Sequence, residues 1–164
     1  MQYRFSVKQF LLSIVFISFF PVLAQANDKA VQDVLNMKEE PDGVVFEIAT
    51  GRDGGLKWAL PQVQDYIKQL RKRFPNMHVA VVTHGREQFA LQKNKKKKNA
   101  KVHSLTEQLV ADGVALHVCG THAEWRGVTE EDFPEYVDVS ATGPAQINDY
   151  RSLGYILIEV KRSK

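Results

Sequence analysis

Cys119 is the single cysteine of this 164-residue chain, and it sits in the run His117-Val118-Cys119-Gly120-Thr121-His122. The preceding residues, Val114 to Val118, read as an apolar strand, and Gly120 to Arg126 reads as a short helix closed by Gly127. A thiol at such a junction lies near unpaired helix N–H groups and the positive end of the helix dipole. Both favour the thiolate, the form of cysteine that attacks sulfur and binds metals. With no second cysteine it cannot close a disulfide within its own chain. It is therefore either a buried core residue, a common fate for cysteine, or a group that works on something brought to it.

Three histidines extend the chemistry. His117, Cys119 and His122 form a His-x-Cys-x-x-His run. The first two share a face if both are in the strand, and thiolate with imidazole suits copper or zinc. The run lacks the paired Cys-x-x-Cys groups of structural zinc sites. His84 ends another apolar run and precedes Gly85. Its readings are a proton relay, a group that orients a sulfur-bearing partner, or a loop histidine. His103 follows a lysine-rich stretch and is expected at the surface. No phosphate loop is present: Gly51-Arg52-Asp53-Gly54-Gly55 lacks both the Gly-Lys-Ser/Thr ending and dinucleotide spacing. No nucleophile elbow appears either.

Alternating elements must position these groups. Val44 to Ala49, Met77 to Thr83, Val114 to Val118, Val137 to Ser140 and Tyr155 to Val160 read as strands, the longer ones almost continuously apolar. Leu56, Leu60, Val63, Ile67, Leu70 and Phe74 recur at steps of four and three, which predicts one buried helix face with Pro61 in its first turn. Ser104-Leu105-Thr106-Glu107 has capping-box spacing and predicts a helix from Ser104 to about Asp112, ended by Gly113. Further helices are expected near Val31 to Met37, over Glu87 to Leu91 and over Pro144 to Leu153. The alternation predicts an α/β fold: a three-layer α/β/α sandwich around a mostly parallel sheet of about five strands. Ligands of such sheets bind at the carboxyl ends of the strands, where Gly51–Gly54, His84–Arg86, Cys119–His122 and Ser140–Gly143 gather.

Residues 1–26 read as an export signal. Arg4 and Lys8 precede an apolar core from Phe10 to Phe20, and Ala24-Gln25-Ala26 offers a small-residue cleavage site. The apolar core is shorter than the about 20 residues of a membrane-spanning helix, so no stable span is expected after cleavage following Ala26. That predicts a periplasmic protein with a polar lead-in over 27–42 and one domain over 43–164. Losing Arg4 and Lys8 removes two of the three excess positive charges, so the basic isoelectric point is partly the signal's, and no nucleic-acid partner is expected. The run from Lys93 to Lys101 has no interleaved aromatic residues and reads as a mobile, solvated loop. A lone thiol in an oxidising compartment is open to oxidation wherever it is accessible.

Taken together, these segments resemble the DsrE/DsrF-like family, which includes sulfur-relay subunits. The resemblance runs from about residue 43 to 160. It rests on the first strand and its glycine-containing loop, on Val81-Val82-Thr83-His84-Gly85, and on Gly113-Val114 leading to a strand that ends in Cys119. Arg126-Gly127-Val128 beyond the cysteine, Ser140 to Gly143, and Gly154-Tyr155 before the closing strand complete it. The resemblance implies an α/β sandwich that assembles into oligomers, here a homo-oligomer. It implies that Cys119 carries sulfur as a persulfide between donor and acceptor thiols, with His84 at a recurrent His-Gly position and no metal or organic cofactor. Two other readings stay open. One is a non-catalytic module that binds copper or zinc through His117, Cys119 and His122. The other is an oligomeric structural subunit with a buried cysteine.

Overall fold

In the computed structural model, which describes residues 29–162, the five apolar runs become one sheet. Its strands are β1 (Gly43–Ile48), β2 (Val79–Thr83), β3 (Val114–Cys119), β4 (Asp138–Ser140) and β5 (Tyr155–Glu159). They lie in the order β4-β3-β2-β1-β5, and every pair is parallel. The expected sheet of about five mostly parallel strands is thus fully parallel. The predicted signal segment and its cleavage site lie outside the described residues. No described helix is long and apolar enough to cross a membrane.

Alternation along each strand sorts its side chains between two layers. Val44, Phe46, Ile48, Val79, Val81, Leu116 and Val118 face the larger core. That core is covered by α1 (Lys29–Leu35), α2 (Leu56–Arg73) and α3 (Ala100–Ala111). Val45, Ala80 and Val82 face the opposite layer, where α5 (Gly143–Ser152) packs through Ile147. The fifth helix, α4 (Gly120–Glu124), follows β3 directly.

The six apolar positions picked out on α2 are all buried. The helix starts at Leu56, however, so Pro61 falls in its second turn and forgoes the bond to the Lys57 carbonyl. Within the lead-in, α1 joins the larger core through Val31 and Val34. Gly113, at φ 79°, closes α3 as expected.

Two expectations about the middle of the chain are corrected. α3 begins at Ala100, four residues before the Ser104 capping box. The earlier start aligns Val102, His103, Thr106 and Leu109 on one inward face, and that burial outweighs a surface cap of about 1 kcal/mol. It also carries His103, expected at the surface, fully inside. The lysine run is built of turns rather than open loop: Lys93–Lys95 forms a 3-10 turn, Lys93 Nζ donates to the Glu131 carbonyl at 2.8 Å, and Lys96 Nζ reaches the Glu107 carboxylate at 2.8 Å.

Candidate functional site

Cys119 is the last residue of β3, and the strand alternation places it with Ala115 and His117 on the α5 face. The register sets Cys119 beside Ser140 of β4. It sets Thr83 beside Val118, so the next residue of that segment, His84, falls beside Cys119. On the far side of His84 the same face carries Glu47 of β1. His84, Cys119 and Ser140 therefore form one row across the carboxyl rim of the sheet, and Glu47, in register with Val82, stands two residues back on the same face. The His84 ring nitrogen Nε2 donates to Glu47 Oε1 at 2.7 Å, with both side chains partly exposed. Ser140 Oγ donates to the Val118 carbonyl at 3.1 Å. Cys119 itself is 6% exposed.

The junction is fixed by neighbours that close around it. Gly120 must lack a side chain, because a Cβ there would lie 2.9 Å from the Ser140 carbonyl oxygen. The Thr121 N–H and Oγ1 both bond the Ala141 carbonyl, at 3.0 and 2.8 Å. α4 has five residues, and the Cys119 side chain makes no capping hydrogen bond to it. The expected priming of the thiol by a helix N-terminus is therefore reduced to a one-turn dipole.

A buried polar scaffold lies behind the row. After β2 the chain forms a 3-10 segment, Arg86–Leu91, in which Glu87 and Gln88 are fully buried. The Gln88 side chain grips the Cys119 backbone on both edges. Its Oε1 accepts the Cys119 N–H at 2.8 Å, and its Nε2 donates to the Cys119 carbonyl at 3.2 Å. The Glu87 carboxylate accepts five hydrogen bonds. Thr50 N, Thr50 Oγ1 and Gly51 N reach Oε2 at 3.0, 2.8 and 3.1 Å, while Thr83 Oγ1 and Gly85 N reach Oε1 at 3.0 and 2.8 Å. Such a donor set is what makes a buried carboxylate tolerable. It also explains Gly85. The backbone there is ordinary extended chain at φ −92°, but any Cβ would collide with the Glu87 carboxylate. Gly85 provides room rather than flexibility.

The three ring systems near the cysteine go separate ways. His117 shares a 2.8 Å hydrogen bond between Nε2 and the Tyr150 hydroxyl, and its Nδ1 lies 3.9 Å from Asp138. Burial pushes its pKa down, against the pull of Asp138. His122 Nδ1 donates to the His84 carbonyl at 2.9 Å, and its ring stands edge-on to Phe89 at 5.1 Å. The alternative copper or zinc set of His117, Cys119 and His122 is not assembled: among the described residues no group of three or more His, Cys, Asp or Glu side chains is placed to hold a metal. The strand directs His117 toward Tyr150, while the turn into α4 sends His122 back under His84.

His103 is a structural histidine. Its Nε2 donates to the Ala90 carbonyl at 3.1 Å, which leaves Nδ1 to accept the Tyr136 hydroxyl at 2.6 Å. Burial lowers the His103 pKa and, with the nearby Glu107 charge, raises that of Tyr136 to about 12.

Sequence reasoning located Cys119, His84 and Ser140 at the rim. It missed Glu47, Glu87 and Gln88. Glu47 did carry a signal: it is the only charged residue in the apolar run Val44 to Ala49. Glu87 and Gln88 carried none, because polar residues in a short helical piece after a strand are ordinary at a surface.

Comparison with known proteins converges on one architecture. The model of the DsrE/DsrF-like family matches residues 58–160. A protein of unknown function from Methanobacterium thermoautotrophicum, MTH1491, is 22% identical with a TM-score of 0.56, covering 71% of this chain and 96% of its own. The ychN protein of E. coli is 15% identical with a TM-score of 0.54, covering 72% and 98%. A conserved protein of unknown function from Bacteroides thetaiotaomicron, BT1422, is 12% identical with a TM-score of 0.50, covering 73% and 95%. At these identities the likeness is one of fold. No curated protein matches the chain.

Proposed function

The chain belongs to the DsrE/DsrF-like family, and from that premise we propose that it is a sulfur-relay protein whose Cys119 holds sulfane sulfur as a persulfide. The observation that carries this reading is the row His84–Cys119–Ser140 at the carboxyl rim of a parallel sheet, where such folds bind their ligands, with Glu47 hydrogen-bonded to His84 from two residues back on the next strand. In the loading step the Cys119 thiolate attacks the outer sulfur of a donor persulfide. A new S–S bond forms on Cys119, the donor's S–S bond breaks, and the donor leaves as a thiolate. In the transfer step an acceptor thiolate attacks the terminal sulfur and Cys119 departs as a thiolate. No metal or organic cofactor enters either step. His84, held by Glu47, is the imidazole nearest in register to Cys119 and serves as its proton partner.

The reading includes export. A signal over residues 1–26, cleaved after Ala26, would deliver the protein to the periplasm, with sulfur-donor and sulfur-acceptor thiols as its partners. It also includes a homo-oligomer. One ten-residue helix covers the α5 face, Tyr150, Tyr155 and Leu157 remain only partly buried there, and Leu153 is 66% exposed.

The test is mass spectrometry of the intact protein after incubation with a persulfide donor. Added sulfur is expected on the wild type and absent from Cys119→Ser. A wild-type chain that gains none, while a reference carrier loads alongside it, overturns the proposal. One observation favours the second reading, a structural cysteine: Cys119 is only 6% exposed. Slow labelling by a thiol reagent in the native state, with fast labelling when unfolded, would select that reading.

A further inference from the structure

The α2–α3 side of the same rim holds a cavity of about 460 Å³ that includes none of Glu47, His84, Cys119 or Ser140 in its wall. Five cationic side chains line it: Lys57, Arg86, Lys95, Lys98 and Arg126. They arrive from four separate stretches of chain, namely the first turn of α2, the 3-10 segment after β2, the turns before α3 and the loop after α4. The fold, not a local run of sequence, brings them together. Asp53 is the one carboxylate of the wall, and it answers Arg86 at 3.2 Å, so the remaining four cations face the hollow without an acidic side chain of the wall to match them.

Phe89 is shared by two of these cations. The Arg126 guanidinium lies 5.7 Å from its ring centroid and the Lys95 ammonium 5.9 Å. Each gains from the ring face, yet the two repel one another, as do the other charges gathered at this concave wall. A bound anion removes that repulsion and adds charge-assisted hydrogen bonds. The lysine run is split accordingly. Lys93 and Lys96 are tied to Glu131 and Glu107, whereas Lys95 and Lys98 line the cavity.

We propose that this cavity binds a small anion of two or more charges, carrying phosphate or sulfur-oxyanion groups. The volume falls within the roughly 300–1,000 Å³ of small-molecule sites. The charges ring a hollow instead of spreading along an open face, and an extended polyanion crossing this face would meet the exposed Glu130 and Glu131 beside Lys93. The site stands independently of sulfur carriage at Cys119.

The test is isothermal titration of the full-length protein with pyrophosphate, thiosulfate and, as a singly charged control, acetate. Saturable binding of pyrophosphate or thiosulfate is expected at physiological salt, weakening as salt rises. The double variant Lys57→Gln/Arg126→Gln should bind at least about tenfold more weakly, from loss of two facing charges. Lys68→Gln, an exposed lysine elsewhere on α2, should bind like the wild type, and so should Cys119→Ser. Preference for pyrophosphate identifies a phosphate ligand, and preference for thiosulfate a sulfur oxyanion. No saturation by either anion overturns the proposal. So does binding that the double variant leaves unchanged or that Lys68→Gln weakens equally.

Discussion

On the α2–α3 face of the sheet, three helices press an almost purely apolar surface onto the strands, and every apolar position of the α2 stripe is buried. On the α5 face one helix packs Ile147 onto Val45, Ala80 and Val82, and around them lie Glu47, His84, His117, Tyr150 and Cys119. The first face is built by burial, which needs fit but no directional partners. The second is built by pairing, because each polar group on it needs a partner: Glu47 for His84, Tyr150 for His117. The lesson is that apolar burial and polar pairing have been divided between opposite sides of the same strands.

The sharpest way to break that division is to remove burial on the first face. Leu60, 1% exposed in the middle of α2, should cost roughly 3 kcal/mol on Leu60→Ala, read as a lowered urea midpoint. Cys119→Ser at the rim should cost well below that. Equal losses would mean that the rim is as much core as α2 is. Glu87→Ala comes next, at about 2–3 kcal/mol, because it strands the N–H groups of Thr50, Gly51 and Gly85. Its loss should also loosen the segment carrying Gln88, so native-state labelling of Cys119 should accelerate beyond what the stability change alone produces.

What sequence could and could not reveal follows the same division. The apolar face was legible because burial leaves a period: the α2 stripe and the apolar strands spelled out the layers and the parallel sheet. The rim positions of Cys119 and His84 were legible because each follows directly from the end of an apolar run. The failures came from polar residues that burial had conscripted. His103 looked like a surface residue beside lysines until an earlier helix start turned it inward. Three of the five bonds to Glu87 and both bonds of Gln88 to Cys119 join residues 31 to 37 positions away, and no local pattern encodes a partner at that distance. The metal reading of His117 and His122 failed for a related reason: sequence spacing gave their proximity but not the partners that turn each ring aside.

Each face also holds one buried histidine with a lowered pKa, His103 behind α3 and His117 under α5. Above the ordinary imidazole value of 6.5 neither folded nor unfolded chain protonates these rings, and their contribution to stability is complete. As pH falls below that value the unfolded chain takes up protons that the folded chain refuses, so stability falls until the folded pKa is reached. The charges facing them are Asp138 for His117, and Lys96 and Glu107 for His103. Urea midpoints between pH 8 and pH 5 should therefore decline on acidification. The slope should shrink in His103→Gln and in His117→Gln, and most in the double variant. A slope lost with one histidine alone would assign the pH response to a single face.

The smallest expected effect tests how purely apolar the first face is. Thr106 is fully buried on the inward side of α3, and its Oγ1 has no hydrogen-bond partner among the described residues. A buried hydroxyl without a partner gives up its bonds to water and gains nothing in return. Valine has the same β-branched shape, so Thr106→Val changes little except the hydroxyl. The substitution should stabilise the protein by about 1 kcal/mol, seen as a raised urea midpoint at unchanged slope. If it destabilises instead, the hydroxyl is satisfied by an enclosed water, and the face built by burial contains a polar contact of the kind that organises the other side.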